Sequence, residues 1–314
     1  KPRELSWKNQ HIVIVGPAHP LRGGLATYNE RLATELQKHN KVSILTFTLQ
    51  YPNFLFPGES QYTDSPKPEY LDIDVALNSV NPFNWIKVGL KYKKLRPDVI
   101  IFRFWMPFFG PAFGLFGRIV KSNKHTRLIA ITDNIIPHET RFFDRPFTSY
   151  FLGMLDGAVS MSREVLQDLK SHFPKTKVSQ NSQYNPHPLY DNFGKKLQRE
   201  EACVTLGLNP DRKYILFFGF IRKYKGLDWL IKAFLQAADQ IENVDLLIAG
   251  EFYEDAAPYH AITENSPFKD RIHWHTHFIP NERVSAYFSV ANLVAQSYKS
   301  ATQSGVSQVA YHFD

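Results

Sequence analysis

The stretch "YILFFGFIRKYKGLDWLIKAFLQAA", residues 214–238, passes from an apolar run through a basic knot into an amphipathic pattern. The run at 214–219 reads as a buried strand closed by Gly219, and the pattern after it as a helix from about 227 to 241. A strand that feeds a helix this directly points the helix N-terminus at the loop between them. That end carries roughly +0.5 of a charge, and Arg222, Lys223 and Lys225 add to it. An isolated helix would be better served by acids there, and only Asp228 supplies one. Such a local conflict points to an anion supplied from outside. The alternative is a solvated basic turn.

Working outward, short apolar runs alternate with helical patterns. "HIVIVG" (11–16), "KVSILTF" (41–47), "DVIIFRF" (98–104), "RLIAIT" (127–132) and "GAVSM" (157–161) read as buried strands. Between the first two, Leu25, Tyr28, Leu32 and Leu36 recur at helical spacing. A second block holds 214–219, "VDLLIAG" (244–250), "RIHWHTH" (271–277) and "NLVAQS" (292–297). Continuous apolar strands separated by helices imply a parallel sheet covered on both faces, so the fold class is α/β. Residues 50–85, rich in Pro, Asn and Tyr, read as an insertion or loops, and "NPHPLYDNFGKK" (185–196) as a hinge. The expected division is a first Rossmann-like domain over 1–190 and a second over 191–314. No solenoid repeat is evident.

At 314 residues the chain exceeds what one core usually serves, in keeping with two domains. A composition 43% hydrophobic and 21% charged excludes a disordered chain. The single cysteine, Cys203, can form no internal disulfide, which suits a reducing, cytoplasmic address. No basic-then-apolar leader opens the chain, and its start at Lys1 rather than Met suggests a trimmed end. A net charge of +7 favours anionic partners: nucleotides, phospholipid surfaces or nucleic acid. "FWMPFFGPAFGLFG" (104–117), with two prolines, is shorter than the roughly 20 residues a membrane span needs. Flanked by Arg103 and Arg118, the aromatic stretch has two readings. It is a core helix, or it dips into lipid while the arginines meet anionic headgroups, and the two can coexist.

The first strand ends in "GPAHPLRGGLATYNE", where Gly23 and Gly24 permit close approach of a ligand to the backbone. Neither G-x-G-x-x-G nor G-x-x-x-x-G-K-[ST] is present, which counts against a dinucleotide dehydrogenase or a P-loop enzyme. A glycine loop after the first strand, "FFGFIRKYKGLDWLI" opening a second α/β domain and the later "HFIPNERVSAYFSVANLVAQSYKSATQSG" together resemble glycosyltransferase family 4, of the GT-B fold. The resemblance runs from about residue 11 to 314. It implies two Rossmann-like domains facing a cleft, with the acceptor on the first and a nucleotide-diphosphate sugar on the second.

Carried over by position, the resemblance implies that Arg222 and Lys225 bind the donor diphosphate. Gly23 and Gly24 line the cleft, while Thr302, Gln303, Ser304 and Gly305 meet the sugar and phosphates. Gln308 is a further partner for sugar or ribose, and Phe278 and Ile279 fall at the nucleobase. Fixed cations and helix N–H groups would stabilise the departing diphosphate without a metal or a cofactor. Asp133, just past a predicted strand, is the first candidate catalytic group, with His138 second; a cap or turn is the plainer role for Asp133. Two features depart from the family pattern. Phe220 holds the place where an arginine usually follows the glycine, and Thr302 and Ala310 stand where a pair of glutamates is usual. The chain also stops short of the family's last strand and crossing helix, so the second domain reads as incomplete.

Three patterns resemble chemistry more weakly. Asp72 and Asp74 form a D-x-D; His273, His275 and His277 alternate along a strand as metal ligands can; "PHP" at 186–188 suits a stiff hinge. The function expected is transfer of a hexose-type sugar from a nucleotide-diphosphate donor to a glycan or lipid-linked hydroxyl, with retention of configuration. Peripheral contact with the inner membrane face is expected beside it. A non-catalytic nucleotide-sugar binder is the rival. A nucleic-acid binder lacks any supporting motif.

Overall fold

The strand β1 (His11–Val15) carries apolar side chains on both of its faces, and the sheet around it explains why. In the computed structural model, which describes residues 8–52, 56, 58–137, 141–301 and 304–314, β1 is flanked by parallel neighbours on either side. The chain divides into two compact units, Lys1–His187 and Pro188–Asp314.

In the first unit β1 is joined by β2 (Lys41–Leu49), β3 (Asp72–Asn78), β4 (Val99–Phe104), β5 (Arg127–Thr132), β6 (Gly157–Ser160) and β7 (Ser182–Tyr184). They form one parallel sheet in the order β3-β2-β1-β4-β5-β6-β7. Its helices are α1 (Gly24–Leu36), α2 (Pro82–Leu95), α3 (Gly110–Lys121), α4 (Asp144–Leu152), α5 (Arg163–His172) and the single turn α6 (Lys177–Gln180). Alternation along the strands divides the core in two. Val13, Val15, Ile100 and Phe102 face one side with Phe113, Phe116 and Phe151. Ile12, Ile14, Val99 and Ile101 face the other with Ala33 of α1.

One expectation changes here, and one reading of the aromatic stretch is selected. Residues 50–85 are not all insertion or loop, because β3 lies within them and α2 starts at Pro82. The sequence of β3, "DIDVALN", is that of a half-exposed edge strand, so the long apolar run that marks a central strand is missing. The aromatic stretch 104–117 is core: Phe104, Phe109, Phe113 and Phe116 are fully buried. Its arginines have partners within the protein. Arg103 is 2% exposed and pairs with Asp133, and Arg118 donates to the carbonyls of Gly114 and Tyr150. Among the described residues no helix is long and apolar enough to cross a membrane.

The second unit contains α7 (Arg199–Leu206), β8 (Lys213–Phe218), α8 (Leu227–Ala237), β9 (Val244–Ala249), α9 (Ala257–Thr263), β10 (Ile272–His275), α10 (Asn281–Val290), β11 (Ala291–Val294) and α11 (Gly305–Phe313). Its parallel sheet runs β10-β9-β8-β11, the same order as β3-β2-β1-β4. Phe217, Leu246, Ile248 and Ile272 pack one face against Ile231 and Phe234 of α8. The helix expected to reach about 241 ends at Ala237 and continues as a 3-10 turn, Ala238–Gln240.

Candidate functional site

In both sheets the strand order reverses beside the first strand of the unit, between β1 and β4 and between β8 and β11. Crevices outside the carboxyl ends of strands at such reversals are where open α/β sheets bind ligands. The basic knot lies at the second of these points.

The backbone there is tightly drawn. Gly219, with φ of 101°, follows β8, and its N–H bonds to Ala249 O. A Cβ on Gly250 would meet Gly219 O at 2.2 Å, so the ends of β8 and β9 touch through backbone. Residues 223–225 form a 3-10 turn, and Gly226 turns the chain into α8 at φ 67°. The segment after β11 is clamped across this turn: Ser297 Oγ donates to Lys225 O at 3.1 Å and Lys299 N to Tyr224 O at 2.7 Å.

Lys225 sits within that clamp, 9% exposed. Its ammonium nitrogen is 3.0 Å from where a Gly219 Cβ would stand, and Val306 in the first turn of α11 is 3.8 Å from the same point. The ring of Tyr298 lies 5.7 Å from Nζ. Among the described residues no carboxylate pairs with it. Burial, and then the charge of Arg222, bring its pKa down to about 8. Two helix N-termini, of α8 and α11, therefore border a buried cation that has no carboxylate partner among the described residues. This arrangement suits a polyanion that would complete the charge.

Arg222 is exposed, and its guanidinium lies 5.1 Å above the ring of Tyr253. Tyr253 in turn stacks on Phe220 at 4.2 Å. The phenylalanine that departs from the family pattern thus builds an aromatic shelf for the arginine two residues later. Asp228, the lone acid of the first α8 turn, is held by Lys299 at 2.8 Å. Sequence reasoning missed Lys299, Tyr253 and Tyr298, which come from loops after other strands. No local pattern marks them.

The other expected residues are placed as follows. Ser304 caps α11 and its Oγ lies 3.1 Å from the Tyr298 hydroxyl, while Gln296 Nε2 donates to it at 3.0 Å. Gly305 faces the Tyr190 ring, and Gln308 is half-buried on α11. Thr302, Gln303 and His138 lie outside the described residues. Phe278 and Ile279 fall between β10 and α10, beyond the strand that lies two places from β8; Ile279 is buried and Phe278 half-buried.

In the first unit Gly23 caps α1 with φ of 105°, a conformation that favours glycine, and a Cβ on Gly24 would meet open space. Asp133 follows β5 and receives two 2.6 Å hydrogen bonds, from Arg103 Nε and Nη2. The guanidinium also covers the Tyr28 ring at 3.9 Å. Asp133 is therefore a buried, charge-paired carboxylate rather than a cap. The arginine partner did leave a signal, as a charge inside the apolar strand "DVIIFRF".

Members of two of the weaker patterns have structural partners. His273 Nε2 lies 2.8 Å from Asp245 and His275 Nδ1 3.0 Å from the Tyr287 hydroxyl. Asp74 accepts from Lys91 and Tyr92. Among the described residues no three His, Cys, Asp or Glu side chains gather as a metal site.

Residues 198–304 match the family described as glycosyl transferases group 1. The matched segment contains the whole Gly219–Gly226 loop and the clamp after β11. Sucrose-phosphate synthase of Thermosynechococcus elongatus superposes with a TM-score of 0.68 at 14% identity, over 95% of this chain and 78% of that one. HepE of Anabaena, solved in complex with UDP and glucose, gives 0.68 at 12% identity over 94% and 76%. The catalytic domain of starch synthase IV from Arabidopsis thaliana, bound to ADP and acarbose, gives 0.66 at 11% over 95% and 80%. The shared fold is GT-B, with two Rossmann-like α/β units. No curated protein sequence matches the chain.

Proposed function

We propose that the chain is a glycosyltransferase that moves a sugar from a nucleoside-diphosphate sugar to a hydroxyl on a glycan or lipid-linked acceptor, with retention at the anomeric carbon. One observation carries the reading: the buried Lys225 ammonium, with no carboxylate partner among the described residues, beside the N-terminus of α11 at the β8/β11 reversal. The family match over 198–304 and the UDP and ADP held by the similar structures support it.

The chemistry follows from charge. As the bond between the sugar and the diphosphate breaks, negative charge grows on the leaving phosphate. Lys225 and the helix N–H groups are already fixed in place and need no reorganisation to meet it. Arg222, exposed on its aromatic shelf, supplies the solvent-side charge. The departing phosphate itself takes the acceptor proton, so Asp133 need not be a base; held by Arg103, it serves sugar or acceptor hydroxyls as a hydrogen-bond acceptor. Thr302, Gln303, Ser304 and Gln308 are assigned to the donor sugar and ribose.

The test is a panel of nucleotide sugars followed by thermal stabilisation and by nucleotide release with glycan and lipid-linked acceptors. Stabilisation with acceptor-dependent release supports transfer. Stabilisation without release under every acceptor would leave a binding protein, and no stabilisation would remove the reading.

A further inference from the structure

Helix α2 presents a face that its own unit does not cover. It buries Val88, Gly89 and Tyr92, and a Cβ on Gly89 would press on Ile119 of α3 at 3.1 Å. The outward side should then be polar. Instead Phe83 is 82% exposed, Leu90 54% and Ile86 41%, at positions i, i+7 and i+3 of one stripe. Val80, just before the Asn81 cap of the helix, is exposed as well. Single exposed apolar residues are ordinary, but an aligned set is not.

Lysines run beside the stripe. Lys87, Lys91 and Lys94 are exposed on the same side, and α2 contains no acidic residue. Lys91 pairs with Asp74, whereas Lys87 and Lys94 have no carboxylate partner among the described residues. An apolar stripe edged by cations is the pattern of a helix lying in a lipid interface.

We infer that the outer face of α2 docks on an anionic phospholipid surface, with Phe83, Ile86 and Leu90 entering the acyl boundary and the lysines meeting headgroup phosphates. A second copy of the same face would set lysine against lysine. A nucleic-acid backbone would satisfy the lysines but leave the apolar stripe in water. The contact thus falls on α2 and not on the aromatic stretch 104–117, whose Phe104, Phe109, Phe113 and Phe116 are core. It does not depend on the donor chemistry, since docking needs no bound nucleotide.

The experiment is flotation of the full chain with phosphatidylcholine vesicles, with and without phosphatidylglycerol. It is repeated for Phe83→Ser/Leu90→Ser and Lys87→Gln/Lys94→Gln, with circular dichroism as the check on folding. Binding is expected only to the anionic vesicles. Removing two lysines, each worth about fivefold at such a surface, should weaken it roughly 30-fold and lessen its salt dependence. The apolar double variant should lose it while keeping the wild-type response to nucleotides. No retention by anionic vesicles, equal retention by neutral ones, or unchanged binding in both folded variants overturns the inference.

Discussion

A Cβ on Gly219 would stand 3.0 Å from the ammonium nitrogen of Lys225. The missing side chain at the end of β8 is what lets the cation lie against backbone, and φ of 101° there strains any other residue. Gly219→Ala should destabilise the chain by roughly 1–3 kcal/mol. It should also push Lys225 aside and weaken nucleotide binding, read by thermal unfolding with and without UDP or ADP. Unchanged stability and affinity would mean that the close approach has no consequence.

Lys225 makes a pH prediction with a definite sign. Its pKa in the folded chain is about 8, against 10.5 for an ordinary lysine, because burial and the nearby Arg222 oppose its charge. Between those values the unfolded chain holds a proton that the folded chain has lost, so this group makes stability rise with pH across the window. Below about 8 both states are charged and its contribution is a constant cost. A bound diphosphate restores the charge, so binding above pH 8 should take up a proton. Calorimetric titration in buffers of different ionisation heat measures that uptake, and none at pH 9 would contradict the assignment.

Removal of the same cation should separate stability from binding. Lys225→Met is expected to raise the stability of the ligand-free chain at pH 7 by roughly 2 kcal/mol, since a buried charge no longer needs solvating. Its affinity for nucleoside diphosphates should fall at least tenfold, or about 1.4 kcal/mol. Urea unfolding and titration on one sample read both.

The Arg103–Asp133 pair predicts non-additive loss. Asp133→Ala strands a guanidinium that is 2% exposed and should cost about 3–5 kcal/mol. Arg103→Met/Asp133→Leu should recover much of that stability, while any role of the carboxylate toward substrate stays lost. A folded double variant with full transfer activity would show Asp133 to be structural only. A double variant no more stable than Asp133→Ala would contradict the ion-pair account.

How much of this was legible beforehand depended on periodicity. The strands buried on both faces, such as His11–Val15, could be read because their apolar runs are continuous. β3 could not, because an edge strand alternates and its loop-rich neighbourhood hid it. At the site, Arg222 and Lys225 were visible because strand, basic knot and helix are contiguous in sequence. Lys299, Tyr253 and Tyr298 reach the same place from the ends of β9 and β11, and only sheet order brings them there. The aromatic stretch left two readings open because an exposed interfacial segment and a phenylalanine-rich core have the same composition.

The central claim is that the pocket around Lys225 holds the diphosphate of a nucleotide sugar. The most direct measurement is titration of UDP and ADP into wild-type chain and Lys225→Met at pH 7. Saturable binding to the wild type, at least tenfold weaker in the folded variant, is the predicted result. Equal affinity in the two, or no binding to a folded wild type, would contradict it.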